Sequence, residues 1–186
     1  MEDREQNYYK ALYSVARAVS SSLDLKQVLD SIVTSAAWAV HVKACLVRLV
    51  DRERDELLAT ASYGLSQEYL SKGNVHISDN PVDREVLGGK VIQMRDVATD
   101  ERFEYREEAK REGLSSLIIF PLTIEGKGIG VMRFYTHYPR EFTPEEVEFL
   151  TAVADLSALA IENARAHQLL RTDFEALTAW FTARAA

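Results

Sequence analysis

Glycine and proline are confined to the middle of this chain. All 8 Gly and all 4 Pro fall between Gly64 and Pro144, so residues 1–63 and 145–186 contain neither. These two residue types punctuate turns and break helices. The two ends are therefore expected to be long regular elements, and the middle a turn-rich region. With 186 residues, 47% hydrophobic and 27% charged, the chain has an ordinary globular composition. A chain of this length buries roughly 70% of its unfolded surface and needs no staples.

The N-terminal stretch reads as an amphipathic helix, because Tyr8, Leu12, Val15 and Val19 step by four, three and four along one face. A break follows at Ser20-Ser21-Ser22. Asp24 and Gln27 resemble a capping box that opens a second helix over residues 25–40, burying Val28, Ile32, Ala36 and either Trp38 or Ala39. Apolar runs over 43–51 and 57–63 predict two antiparallel strands. The six consecutive charges from Asp51 to Glu56 between them read as a solvated hairpin connection.

Asn80-Pro81 marks a short helix ending at Gly88-Gly89. A strand over 91–94, a loop over 96–103 and a charged helix over 105–112 ending at Gly113 follow. The strongest strand pair is 115–125 and 128–138, joined by a hairpin at Gly126-Lys127. Gly126, Gly128 and Gly130 suggest a phosphate-cradling loop, but such a loop must open a helix, and Val131 to Tyr135 reads as a strand. Thr143-Pro144-Glu145-Glu146 is a second capping box. Nothing after it stops a helix before about residue 183, a length of roughly 60 Å. Its first half is apolar nearly all round (Val147, Phe149, Leu150, Val153, Leu156, Leu159, Ile161) and needs a second burial partner besides the sheet.

Several function classes are disfavoured by composition. A formal net charge of −7 argues against nucleic acid or an anionic membrane surface as partner. The single cysteine, Cys45, forbids an intrachain disulfide and any Cys₄ or Cys₂His₂ zinc site. No apolar run reaches the ~18 residues of a membrane span, and Leu117 to Leu122 is among the longest. The start, Met1-Glu2-Asp3-Arg4-Glu5, is too acidic for a secretion signal. A cytoplasmic location is expected.

The order of elements resembles the GAF domain, a small-molecule sensing module of bacterial signalling proteins. The matching stretches are Leu23 to Leu29, Ala44 to Asp51, Asp100-Glu101-Arg102-Phe103, and above all Ser116 to Asn163. This last stretch holds Pro121, the Gly-Lys-Gly-Ile-Gly-Val hairpin, Phe142-Thr143-Pro144-Glu145-Glu146 and Ala160-Ile161-Glu162-Asn163-Ala164. The resemblance spans residues 23–167, leaving 1–22 as a preceding helix and 168–186 as a continuation of the last helix. It implies an α+β fold with a central five- or six-stranded antiparallel sheet. The terminal helices and the second helix would cover one face, and residues 64–113 would enclose a pocket on the other. It also implies a homodimer formed through the N- and C-terminal helices.

Specialised branches of that family leave marks that can be sought in these residues. Bilin photoreceptors attach chromophore through a pocket cysteine, whereas Cys45 reads as a buried thiol on the first strand. Free methionine sulfoxide reductases use several cysteines. The Asn-Lys-Phe-Asp-Glu signature associated with cyclic nucleotides is absent. Haem-binding members use one axial His, for which His76 or His137 could be proposed. The four histidines, His41, His76, His137 and His167, are scattered without metal-ligand spacing, and no cofactor is implied.

The candidate ligand-binding residues are Arg48, Tyr63, Phe103, Tyr105, Phe120, Arg133 and Tyr135. Arg48 and Arg133 stand inside apolar strands, where a guanidinium requires a partner. They could form a fork for a carboxylate or phosphate, or pair with protein carboxylates such as Glu56 or Asp96. Their sheet face is undecided, because a one-residue slip reverses it. Two functions remain: a non-catalytic sensor that binds a small, possibly anionic effector and signals through dimerising helices to a partner protein, or a ligand-free dimerisation scaffold. An undetected enzyme site is a third and weaker reading.

Overall fold

The structure, a computed structural model, describes residues 2–21, 24–71, 73 and 75–185. Of the break expected at 20–22, Ser20 and Ser21 are instead the last residues of the first helix, and Ser22, like the expected domain start at Leu23, lies outside the described residues. Helix α1 covers Glu2–Ser21 and α2 covers Leu25–Ala39. Asp24 caps α2 by accepting from the Gln27 N–H at 3.1 Å, which satisfies one of the orphan donors of the first turn. Val28, Ile32, Ala36 and Ala39 face inward, and Trp38 is 64% exposed. The choice left open between Trp38 and Ala39 therefore falls to Ala39.

Six strands form one antiparallel sheet. Strand β1 is Ala44–Asp51, β2 Glu56–Tyr63, β3 Val75–His76, β4 Ile92–Met94, β5 Leu117–Ile124 and β6 Lys127–Tyr135. Their spatial order is β3-β2-β1-β6-β5-β4, so β1 and β6 lie at the centre. The charged β1–β2 connection is organised by its own carboxylates. Asp51 accepts from the Glu53 and Arg54 N–H groups, and Asp55 accepts from the Ser78 N–H. The β5–β6 turn is centred on Glu125-Gly126, with φ of 49° and 75°, and Ile124 pairs with Lys127. It lies one residue earlier than the sequence suggests, because a tight hairpin turn of this twist needs positive φ at both central positions.

The sheet carries a different layer on each face. One face, with Cys45, Val47, Phe120, Met132 and Phe134, is covered by α1, α2 and the long helix α6, Pro144–Ala185. Thr143 and Glu146 cap α6 reciprocally: the Thr143 hydroxyl accepts from the Glu146 N–H at 3.3 Å, and the Glu146 carboxylate accepts from the Thr143 N–H at 2.9 Å. Leu150, Val153 and Ile161 are fully buried, whereas Leu159, Leu169 and Leu170 are exposed. No described helix is long and apolar enough to cross a membrane.

The other face is covered by the Gly- and Pro-containing middle of the chain. It comprises α3 (Gln67–Leu70), α4 (Pro81–Leu87), α5 (Arg106–Glu112) and their loops. α3 and the two-residue β3 were not foreseen, because elements this short leave no periodic signal. Gly128 lets α4 come down onto the sheet, since a Cβ there would lie 2.5 Å from the Leu87 carbonyl oxygen. The glycine-rich stretch thus serves backbone approach and strand pairing.

Candidate ligand site

Strand register decides which candidates share a face. Leu46 pairs with Arg133, and Arg48 with Val131 across the same two strands. Arg48 and Arg133 are therefore diagonal neighbours on one face at the sheet centre. That face also holds Ala44, Leu57, Leu117, Ile119 and Tyr135. Tyr63 and Phe120 pack on the opposite, helix-covered face. They are removed from the pocket side by the two-residue period of a strand. Phe120 meets Phe134 there edge-on, with centroids 5.9 Å apart.

The two arginines are 1% and 4% exposed. Arg133 Nη2 donates to both oxygens of Asp83, at 2.5 and 2.6 Å. Neither Glu56 nor Asp96, the carboxylates suggested by sequence, is its partner. Burial disfavours the Arg133 charge, but the Asp83 carboxylate outweighs that and holds its pKa above the ordinary arginine value. Arg48 is different. Its Nη1 donates to the Leu57 carbonyl at 2.9 Å and it is in none of the ion pairs of the described residues, while its Nε, like that of Arg133, has no hydrogen-bond partner among them. Burial and the nearby Arg133 charge push its pKa down. This face thus buries two guanidiniums against one carboxylate.

Asp83 was not singled out from sequence. It is the third residue of α4, where Asn80 caps the helix by accepting from its N–H at 3.0 Å. An acidic residue in a first helical turn is commonly read as serving the helix dipole. The available signal was spacing. Asp83 lies three residues before Val86, and Val82 four before it, so Asp83 belongs to the buried side of α4. Tyr69 of α3, also missed, is 2% exposed and meets Tyr135 edge-on at 6.2 Å. Burial raises its pKa.

Phe103 and Tyr105 reach the same region through the loop before α5. Asp100 accepts from the Arg102 N–H and guanidinium at 3.0 and 2.9 Å. Arg106 donates to the carbonyls of Phe103 and Asp100. Together these bonds turn Phe103 inward, where it is 5% exposed. Tyr105 is half-buried, and burial followed by the nearby Glu104 charge raises its pKa. Phe103, Tyr105, Asn80, Val82, Met94 and Arg133 are among the residues lining a partly open cavity of about 10 Å³, room for one water at most. The space beside Arg133 is thus almost filled by side chains, whereas residues 64–113 also line an open groove of about 270 Å³ between Tyr69 and Glu112.

Cys45 is fully buried on the helix-covered face, and burial pushes its thiol pKa up. It neither faces this cavity nor has the low pKa of a reactive thiol. His76 lies on edge strand β3, 3.8 Å from Glu56, and His137 follows β6. Neither lines the cavity. Among the described residues no cluster of three or more His, Cys, Asp or Glu could hold a metal ion.

The profile of the GAF domain matches residues 22–162. The chain belongs to the GAF domain family. Among curated relatives, it is 28% identical over 162 residues to a methyl sulfide methyltransferase-associated sensor of Methanosarcina acetivorans, covering 84% of this chain and 16% of that protein. It is 27% identical over 151 residues to the Nif-specific regulatory protein of Azospirillum lipoferum, covering 78% and 24%. The GAF chain therefore spans a quarter or less of the length of these relatives. Its fold matches the GAF domain of a phosphoenolpyruvate-protein phosphotransferase from Coxiella burnetii with a TM-score of 0.78 at 21% identity, covering 88% of this chain and 98% of that one.

Proposed function

We propose that this GAF domain is a non-catalytic, cytoplasmic sensory module that takes a small anionic effector at Arg133 and Arg48 and reports it through its terminal helices to a second copy and a signalling partner. The observation that carries this reading is the charge imbalance on the inner face. Two buried guanidiniums face one carboxylate, and the Nε of each has no hydrogen-bond partner among the described residues. A buried charge without a counter-ion is costly, and an incoming anion relieves it. The relatives named as a sensor and a regulator agree with a sensory role.

Strand β6 supplies the route to the helices. Its alternate residues Met132 and Phe134 point away from Arg133 into the helix layer. The Ser157 hydroxyl of α6 lies 3.9 Å from the Met132 sulfur. A shift of β6 is thereby felt at α6, whose exposed Leu159, Leu169 and Leu170 offer apolar surface to a second copy. The cavity of about 10 Å³ favours the second reading, a ligand-free dimerisation scaffold.

Native mass spectrometry of the protein as purified, followed by denaturing mass spectrometry, separates the two. The sensor gives a dimer with an added non-covalent mass, and Arg133→Ala abolishes binding of that anion. A dimer without added mass, with no thermal shift against an anion and metabolite panel, selects the scaffold. Unchanged affinity in Arg133→Ala removes the arginine fork.

A further inference from the structure

We infer that the Asp83 carboxylate is a built-in occupant of the effector's own seat, that the effector is a small carboxylate, and that it binds by taking Asp83's place on Arg133 and releasing the first turn of α4. This rests on the anion-sensor reading above and adds the ligand class and the part that moves.

The geometry of the seat carries it. Both Asp83 oxygens lie within 2.6 Å of Arg133 Nη2, so a carboxylate already occupies the place where an effector's charge would be neutralised. Asp83 is 0% exposed and reaches this place from a seven-residue helix. At its other end α4 lies against Gly128, where the backbones of β6 and Leu87 nearly touch. The pair with Arg133 thus holds the N-terminal end of α4, and close backbone packing holds the C-terminal end. In this inference the first contact opens while the second holds.

The void of about 10 Å³ beside Arg133 has Asn80 and Val82 of the α4 start on one side and the loop residues 102–105 on another. Lifting the first turn of α4 enlarges that void at its arginine floor. An external carboxylate that enters keeps the Arg133 charge paired, so the exchange leaves no guanidinium stranded. A second anionic group on the same molecule would be drawn on to Arg48, the diagonal neighbour just outside the lining of this void, whose Nε, like that of Arg133, has no partner among the described residues. A dicarboxylate therefore has an advantage over Asp83, which supplies one charge. An internal competitor of this kind lowers apparent affinity by the fraction of time it occupies the seat, which makes the site open only to ligand in quantity.

The test measures binding of acetate, malonate, succinate and inorganic phosphate to the wild-type protein and to Asp83→Asn by isothermal titration at constant ionic strength. Asp83→Asn is expected to bind the dicarboxylates on the order of tenfold tighter than wild type, because the charged competitor is gone. Equal or weaker binding by Asp83→Asn overturns the displacement while leaving an anion site at Arg133 intact. Binding of phosphate with no carboxylate bound overturns the ligand class. Binding to neither protein overturns this inference together with the sensor reading. Should Asp83→Asn fail to fold, Asp83→Ala in acetate or formate replaces it. Recovery of its cooperative unfolding transition in those salts, and not in chloride at equal ionic strength, supports a seat that accepts a free carboxylate. No recovery overturns it.

Discussion

The two faces of the central sheet are cores of different kinds. The helix-covered face buries Leu29, Ile32, Cys45, Phe120 and Phe134 against α1, α2 and α6. Among its polar groups, the Ser157 hydroxyl donates to the Val153 carbonyl at 2.7 Å. The inner face is built from the same strands, yet it buries Arg48, Arg133, Asp83 and Tyr69 under short helices and loops. One layer obtains stability from apolar area and close packing. The other carries buried charges, which are weak contributors to stability even when paired. Strand alternation makes the separation possible, since Arg133 lies between Met132 and Phe134, which point to the other side.

This contrast predicts opposite responses to substitution. The largest effect is expected from Asp83→Ala, which strands Arg133 and lowers stability by about 3–5 kcal/mol, measured by urea denaturation. Replacing both partners, Asp83→Leu with Arg133→Met, is expected to recover that loss and leave stability within about 1 kcal/mol of wild type or above it. A double variant as unstable as the single one would make the inner face an ordinary core.

On the other face, Leu29→Ala is expected to cost about 2–5 kcal/mol by opening a cavity that the helix layer cannot close. No compensating change of charge should repair it. Arg48→Met is expected to raise the urea midpoint, by about 1 kcal/mol in stability, because it removes a buried guanidinium that has no carboxylate while keeping the apolar stem. A loss of stability there would show that the bond to Leu57 outweighs burial of the charge.

Thr143→Ala should cost about 1 kcal/mol through loss of the α6 cap, with faster amide exchange confined to the first turn of α6. The smallest effect concerns the loop before α5. The Arg102 hydrogen bonds hold the Asp100 pKa below its ordinary value despite burial. The contribution of this contact to loop order is therefore full above the ordinary aspartate pKa and is lost as pH falls through the depressed one. Amide exchange at residues 100–103 should accelerate in that acidic window, and the same residues in Asp100→Asn should show no such step.

Legibility in the sequence followed the length of the elements. The long helices, the two central strands and both capping boxes were readable because several residues repeat at a fixed period and a cap marks the start. The β5–β6 turn was misplaced by one residue, since Gly126 belongs at the second central position after Glu125. Two residues for β3 and four for α3 are too few to show a period. Within the candidate site, Arg48, Arg133, Phe103, Tyr105 and Tyr135 could be picked out as unusual or aromatic residues in apolar runs. Tyr63 and Phe120 could not be separated from them without the register.

By itself, the sequence determined where the longer helices start, which of the longer segments are strands, that the ends are long helices and that one cysteine serves no pairing within the chain. These are local properties, set by spacing, capping and composition. Only the tertiary structure decided that Arg48 and Arg133 share a face, that Asp83 from 50 residues away neutralises Arg133, and that side chains fill the space between them. A guanidinium at a given position has the same local signature whether it meets solvent, a ligand or a carboxylate. Its partner is set by which distant segment the fold lays across the sheet.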